Sequence, residues 1–221
     1  MVDEAPGSRG LILLSGFEAF GGDAINPSWQ IAEALHGECI DGFTVQAACI
    51  PCAFGDALDA LDRMLAAAAP SLVLALGQAA GRSELSIERV AINIDDARIP
   101  DNLGRQPVDT PVIAGAPAAY FSNLPIKAMV AALRQAGIPA GVSQTAGTFV
   151  CNHLFYGLMH RLQRRAGVRG GFMHVPLSTT QRRHAEAGSM PLDTMVNGVR
   201  IALCTALATT KDVTLSAGAE H

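Results

Sequence analysis

The sequence has no basic excess. Sixteen lysines and arginines stand against twenty aspartates and glutamates, a formal charge of −4. That argues against a nucleic-acid-binding protein, because neutralising phosphates takes a positive surplus. No apolar run approaches the roughly 18 residues of a membrane span. The opening MVDEAPGSRG is acidic and lacks an apolar core, so it does not read as a secretory signal. Internal repeats and low-complexity tracts are also missing, apart from an alanine-rich end to the second helix. The five cysteines are an odd number without dense spacing. This excludes a disulfide framework and points to reduced thiols in a cytoplasmic protein.

What is present describes a packed globular chain. Hydrophobic residues make up 49% and charged residues 16% of 221 positions, enough for one medium domain and too apolar for disorder. Cys49-Ile-Pro-Cys52 has CxxC spacing, which suits a redox couple or half a zinc site. No second pair accompanies it and no thioredoxin-like unit surrounds it. Apolar filler at a strand end is the favoured reading, and no metal or cofactor is expected.

Strand-length apolar runs alternate with helical patterns. Leu11–Ser15, Phe43–Ile50, Ser71–Leu76, Leu85–Ile94, Ile138–Ser143 and Gly171–Val175 read as extended. Asn26-Pro27-Ser28 offers helix-start chemistry before a helix over Trp29–His36. Further helices are expected over Gly55–Ala69, Ile126–Ala136, Val150–Arg165 and Pro191–Thr209, with a long loop from Asp95 to about Asn123. The alternation predicts an α/β fold: a single-domain three-layer α/β/α sandwich around a mostly parallel twisted sheet. Its expected organisation is a flexible segment over 1–10, one domain over 11–209 and a disordered tail over 210–221. Ligands in such folds lie beyond the carboxyl ends of the strands. Segments 16–22, 77–82 and 174–180 occupy that position.

Three residues could carry chemistry. Cys151, in TAGTFVCNH, falls where a loop of small residues turns into a helix. The dipole and free amides there would lower its pKa and could hold an oxyanion. Equally, it could be a buried inert cysteine. Of six histidines, His174 lies near a strand's carboxyl end, as a general base or as a packed strand-end histidine. His36, His160, His184 and His221 carry no special signal, and His153 points to a different helix face from Cys151. Glu88 shares a strand face with Val90, Ile92 and Ile94, where a lone carboxylate would be expensive. It could orient a histidine, or pair with Arg82 or Arg98.

Together these segments resemble pyroglutamyl-peptidase I, a family of cytosolic cysteine peptidases. The resemblance rests on Gly16-Phe-Glu-Ala-Phe-Gly-Gly22 with Ile25-Asn-Pro-Ser-Trp29, and on Gly77-Gln-Ala-Ala-Gly-Arg82 with Ile87–Asp96 and Arg98–Asn102. Ser143–Asn152, Gly171–Pro176 and Tyr120–Lys127 extend it from about Leu11 to Ala208. It implies a catalytic set of Glu88, Cys151 and His174 without metal or cofactor. The Cys151 amide, with Arg98, would support the oxyanion. Phe17 and Phe20 would sandwich a lactam ring, Ile99, Phe149 and Val150 would complete the wall, and Gln78 would sit in the loop that binds the lactam amide. N-terminally pyroglutamylated peptides are the implied substrates, and dimers or tetramers the implied assembly. Two stretches depart from the family pattern: Cys52, where a small hydroxyl or aliphatic residue is usual, and Leu177-Ser-Thr-Thr-Gln181. The alternatives are a nucleoside phosphorylase-like enzyme, which would leave the three residues unexplained together, and a non-catalytic protein that kept the pocket.

Overall fold

The computed structural model describes residues 9–181 and 188–218. Residues 1–8, 182–187 and 219–221, with His184, His221 and most of the expected N-terminal flexible segment, lie outside the described residues. In chain order the elements are β1 (Gly10–Phe17), α1 (Pro27–Leu35), β2 (Cys39–Ile40), β3 (Phe43–Ile50), α2 (Asp56–Ala67), β4 (Leu72–Gln78), β5 (Leu85–Glu88) and β6 (Val90–Ile92). Then follow β7 (Ala119–Phe121), α3 (Ile126–Gln135), β8 (Ala140–Ser143), α4 (Val150–Leu162), β9 (Arg169–Val175), β10 (Leu177–Ser178), β11 (Ser189–Met190) and α5 (Leu192–Ala208).

Seven strands form the central sheet in the order β2-β3-β1-β4-β9-β5-β8. The run β3-β1-β4-β9 is parallel, as the alternation predicts. Strand alternation splits the core into two layers. Ile12, Leu14, Leu72, Leu74, Leu76, Leu85, Ile87, Met173 and Val175 meet α1, α3 and α5. Leu13, Val73, Ala75 and Phe172 face the other way, onto α2 and α4. Successive side chains point to opposite faces of a strand, so Gly77, Ser86, Glu88 and His174 share the α2/α4 face.

Two expectations are corrected. The extended segment Leu85–Ile94 is two strands in two sheets: β5 joins the central sheet, whereas β6 pairs with β7 in a separate hairpin-like sheet. Glu88 therefore shares its face with Ser86, not with Val90, Ile92 and Ile94. Strand β5 runs antiparallel to β9, with Ser86 opposite His174. Glu88 thus approaches His174 from an oppositely directed neighbour instead of from the sheet's carboxyl edge. Beyond α5 the chain makes contacts back to the domain. Asp212 accepts from the Lys127 and Ala128 amides at the start of α3, and Ala217 O accepts from Arg89 and Gln144.

The glycine-rich loop after β1 is built on close approach. Asn26 caps α1 by accepting from the Ser28 amide, and Ser28 Oγ accepts from Phe17 N. A β-carbon on Gly16 would lie 2.2 Å from the Ser28 carbonyl oxygen and 2.5 Å from Trp29 N. Backbone atoms cannot swing aside as a side chain can. Gly16→Ala is therefore expected to destabilise the protein by about 3 kcal/mol, the upper end for overpacking, read as a lower urea midpoint at unchanged m-value.

Candidate active site

Cys151 is the second residue of α4, after Phe149, whose side chain makes no cap. Among the described residues the Cys151 amide has no hydrogen-bond acceptor, which leaves a helix N-terminal N–H free beside the thiol. The sulfur is packed against β4: a β-carbon on Gly77 would come 2.9 Å from Cys151 Sγ. Gly77 is the register partner of His174 on β9. The thiol thus stands over one strand while the imidazole rises from the next, on the same face and about 4.8 Å of strand spacing away. No hydrogen bond joins the two side chains in this structure.

His174 is 4% exposed and Glu88 0%. His174 Nδ1 lies 2.7 Å from Glu88 Oε1. A carboxylate only accepts, so Nδ1 carries the hydrogen and Nε2 keeps the lone pair. Arg82 Nη1 donates to the same Glu88 oxygen at 2.8 Å, and its Nη2 donates to Thr145 O at 3.2 Å. Both roles considered for Glu88, histidine orienter and arginine partner, are present together. The arginine is Arg82, not Arg98. Glu88 Oε2 has no partner among the described residues.

Electrostatics reverse one expectation. The helix N-terminus predicts a lowered thiol pKa, but burial pushes the Cys151 thiol up to about 12, with the Glu88 charge adding to the rise and Arg82 opposing it. Cys151 nonetheless retains some accessible surface. Burial also lowers His174, against the raising effect of Glu88. The resting pair is accordingly a thiol and a neutral imidazole. Cys52, buried nearby, is pushed up as well, by burial first and then by Cys151. Cys49, expected to be strand-end filler like Cys52, is exposed, and both are free thiols.

His153 is held elsewhere. Its Nε2 accepts from the Gly55 amide at 3.0 Å, so its Nδ1 carries hydrogen and donates to Asp95 Oδ2 at 2.8 Å. Asn152 accepts from Ile92 N and donates to the Ile92 and Ile94 carbonyls. These two neighbours of Cys151 stitch α4 to β6 and to the long loop. That loop is ordered by Asp101, which accepts from the amides of Phe54, Leu103 and Arg105, and by Asn102, which donates to Glu18 Oε1 and Ala19 O.

The expected ring-binding residues separate into groups. Phe20 and Phe149 pack at 5.2 Å between centroids, and Phe54, which sequence reasoning missed, meets Phe149 edge-on at 5.3 Å. Phe17 is only 2% exposed and Val150 is buried, both in the core layer against which Phe20 and Phe149 pack. Ile99 is 48% exposed on the long loop, and Arg98 beside it is exposed without a hydrogen bond or ion pair among the described residues. The Gln78 side chain has the strand parity of the opposite face. Its Oε1 accepts from Gln181 Nε2 at 3.0 Å, so only its backbone borders Gly77 and the thiol. Gln181, in the divergent stretch after Pro176, also reaches Ile25 O at 3.4 Å. Long-range amide contacts of this kind leave no periodic signal in a sequence.

A helix-start cysteine over a histidine–carboxylate pair, on a largely parallel sheet, defines a cysteine-type hydrolase. The family model described as pyroglutamyl peptidase matches residues 11–209, and the chain belongs to that family. A pyrrolidone-carboxylate peptidase of Cupriavidus taiwanensis is 56% identical over 213 residues, covering 95% of this chain and 99% of the relative. One from Escherichia fergusonii is 54% identical over 211 residues with the same coverage. The crystal structure of Bacillus amyloliquefaciens pyroglutamyl peptidase I superposes with a TM-score of 0.90 at 43% identity, covering 93% of this chain and 100% of that one. The pyrrolidone carboxyl peptidase of Thermococcus litoralis gives 0.86 at 35% identity, over 90% and 94% of the two chains. These matches displace the nucleoside phosphorylase-like alternative.

The shifted groups set the pH range of stability. His174 is lowered from an ordinary 6.5, so the unfolded chain takes up a proton first and stability falls as pH drops below about 6.5. Cys151 is raised from 9.0 to about 12, so the unfolded chain loses a proton first and stability falls as pH rises above about 9. Urea midpoints are expected to peak at about pH 7–9. Cys151→Ser should make the alkaline decline shallower, leaving the part due to the other raised groups, Cys52, Cys49, Cys204 and Tyr156.

Proposed function

We propose that this enzyme hydrolyses the bond after an N-terminal L-pyroglutamyl residue, releasing pyroglutamate and a shortened peptide. The observation that carries the reading is the buried His174–Glu88 pair at 2.7 Å, set beneath a cysteine at the start of α4.

Cys151 Sγ attacks the pyroglutamyl carbonyl carbon as its proton passes to His174 Nε2. Starting from a neutral pair, the attack creates an imidazolium and an oxyanion together. Glu88 stabilises the imidazolium through Nδ1–H, and the free Cys151 amide donates to the oxyanion. Arg98, exposed on the long loop, is assigned as a further source of positive charge for the oxyanion. Collapse of the tetrahedral anion re-forms the carbonyl and expels the amine, which takes the proton from Nε2. Water then adds to the thioester with Nε2 as base, and collapse returns the thiol and frees pyroglutamate.

The lactam ring is uncharged and flat, and an aromatic wall with a few amide contacts suits it. Phe20 and Phe149 form that wall, backed by Phe17, Phe54 and Val150, with Ile99 at the rim and the Gln78 backbone as amide partner. Among the described residues no helix is long and apolar enough to cross a membrane. The reading places the enzyme in the reducing cytoplasm, as a homo-oligomer.

A pyroglutamyl amide bearing a chromogenic leaving group tests it. Turnover should need reducing agent, stop on iodoacetamide treatment and be lost in Cys151→Ser and His174→Ala. A folded, reduced sample without turnover overturns the substrate class. Full activity in Cys151→Ser overturns the nucleophile alone.

A further inference from the structure

Arg82 has no role in the mechanism as derived, yet it touches both halves of the site. Nη1 donates to Glu88 Oε1 at 2.8 Å, the oxygen that also receives His174 Nδ1–H, and Nη2 donates to Thr145 O at 3.2 Å. Thr145 belongs to the loop between β8 and α4 that delivers Cys151, and Thr145 O also accepts from Ser143 Oγ at 3.0 Å. Ser143 is in turn the register partner of Glu88. The backbone at Arg82 is fixed by close packing, since a β-carbon on Gly188 would lie 2.9 Å from Arg82 O.

Two donors on one oxygen use both of its lone pairs and leave Oε2 unpartnered. The carboxylate therefore has one pose, set from one side by the imidazole and from the other by the guanidinium. A guanidinium presents N–H groups in a rigid fork and can meet a carboxylate and a carbonyl in different directions; an ammonium is a single point on a flexible stem. On these contacts, and resting on the catalytic reading above, we infer that Arg82 is a positioning residue: a two-pronged clamp that holds Glu88 under His174 and ties it to the loop carrying Cys151.

The clamp also contributes charge. The groups facing the imidazole are Glu88, Arg82 and the Cys151 thiol; those facing the thiol are Glu88, Arg82 and Cys52. Positive charge at Arg82 disfavours imidazolium and favours thiolate. Removing it raises both His174 and Cys151, so activity and thiol reactivity both move to higher pH.

The test compares Arg82→Gln and Arg82→Lys with wild type by two readouts. One is the pH profile of kcat/KM on the chromogenic pyroglutamyl amide; the other is the pH dependence of Cys151 alkylation by iodoacetamide, mapped by mass spectrometry. In Arg82→Gln the acid limb of kcat/KM should move up by about one pH unit and the alkylation profile should shift equally, read as a roughly tenfold slower rate at pH 8–9, with kcat down by at least about tenfold from misplacement. Arg82→Lys should keep the wild-type limbs but lose kcat, because the second prong to Thr145 is gone. Unmoved limbs in folded Arg82→Gln, or equal limb shifts in both variants, overturn the inference. If Arg82→Gln does not fold, Arg82→Lys decides alone, and wild-type kcat in it overturns the clamp. Alkylation needs no substrate. A moved alkylation limb with no wild-type amide turnover upholds the clamp and overturns the substrate class, whereas an unmoved limb with normal wild-type turnover overturns only the clamp.

Discussion

A carboxylate with no accessible surface lies at the centre of this protein, and much of the active-site layout follows from keeping it paired. Removing one partner from a buried charge costs about 3–5 kcal/mol, so Glu88 must be met by donors wherever the fold puts it. His174 and Arg82 meet it on one oxygen. They come from different segments: β9, central in the sheet, and the loop that follows β4. Pairing the charge therefore also fixes strand order and register. Strand β5 has to lie beside β9, run against it, and set Ser86 opposite His174.

The second constraint is the start of α4. Its first turn must bring a thiol over β4, which requires a residue without a side chain at Gly77. The two residues after Cys151 spend their polar groups on fixing that turn. Asn152 satisfies the β6 backbone and His153 joins Asp95 to the Gly55 amide. A histidine two positions from the helix-start cysteine is thus a structural brace, with both ring nitrogens occupied. The histidine free to accept a proton is 23 positions away, and adjacency along the chain is the wrong guide because successive helix residues point in different directions.

The same logic explains why the thiol is not activated at rest. A free helix N-terminus favours thiolate, but the enclosure that excludes water from the site disfavours any isolated charge. Burial accordingly raises the thiol and lowers the imidazole, and both shifts favour the neutral forms. Long-loop contacts through Asp101 and Asn102 connect this centre to the aromatic cluster of Phe20, Phe54 and Phe149. The aromatic cluster and the thiol–imidazole centre are thereby built on one connected frame.

Local patterns were enough to place most elements within a few residues, because apolar alternation and Asn26-Pro27-Ser28 act through neighbours along the chain. They also picked out Cys151, His174 and Glu88, each anomalous in its own segment: a cysteine at a helix start, a histidine at a strand end, a carboxylate on an apolar strand. What the sequence by itself determined is therefore the α/β class and the order of the main elements, with Cys151, His174 and Glu88 singled out as candidates. Only the tertiary structure decided that the segment Leu85–Ile94 divides between two sheets, that β5 runs against β9, that Arg82 shares Glu88 with His174, and that burial raises the thiol. Each of these depends on which surfaces meet across the sheet and how much water they exclude. Such free energies belong to contacts between residues far apart in the chain, and a one-dimensional pattern carries no record of them.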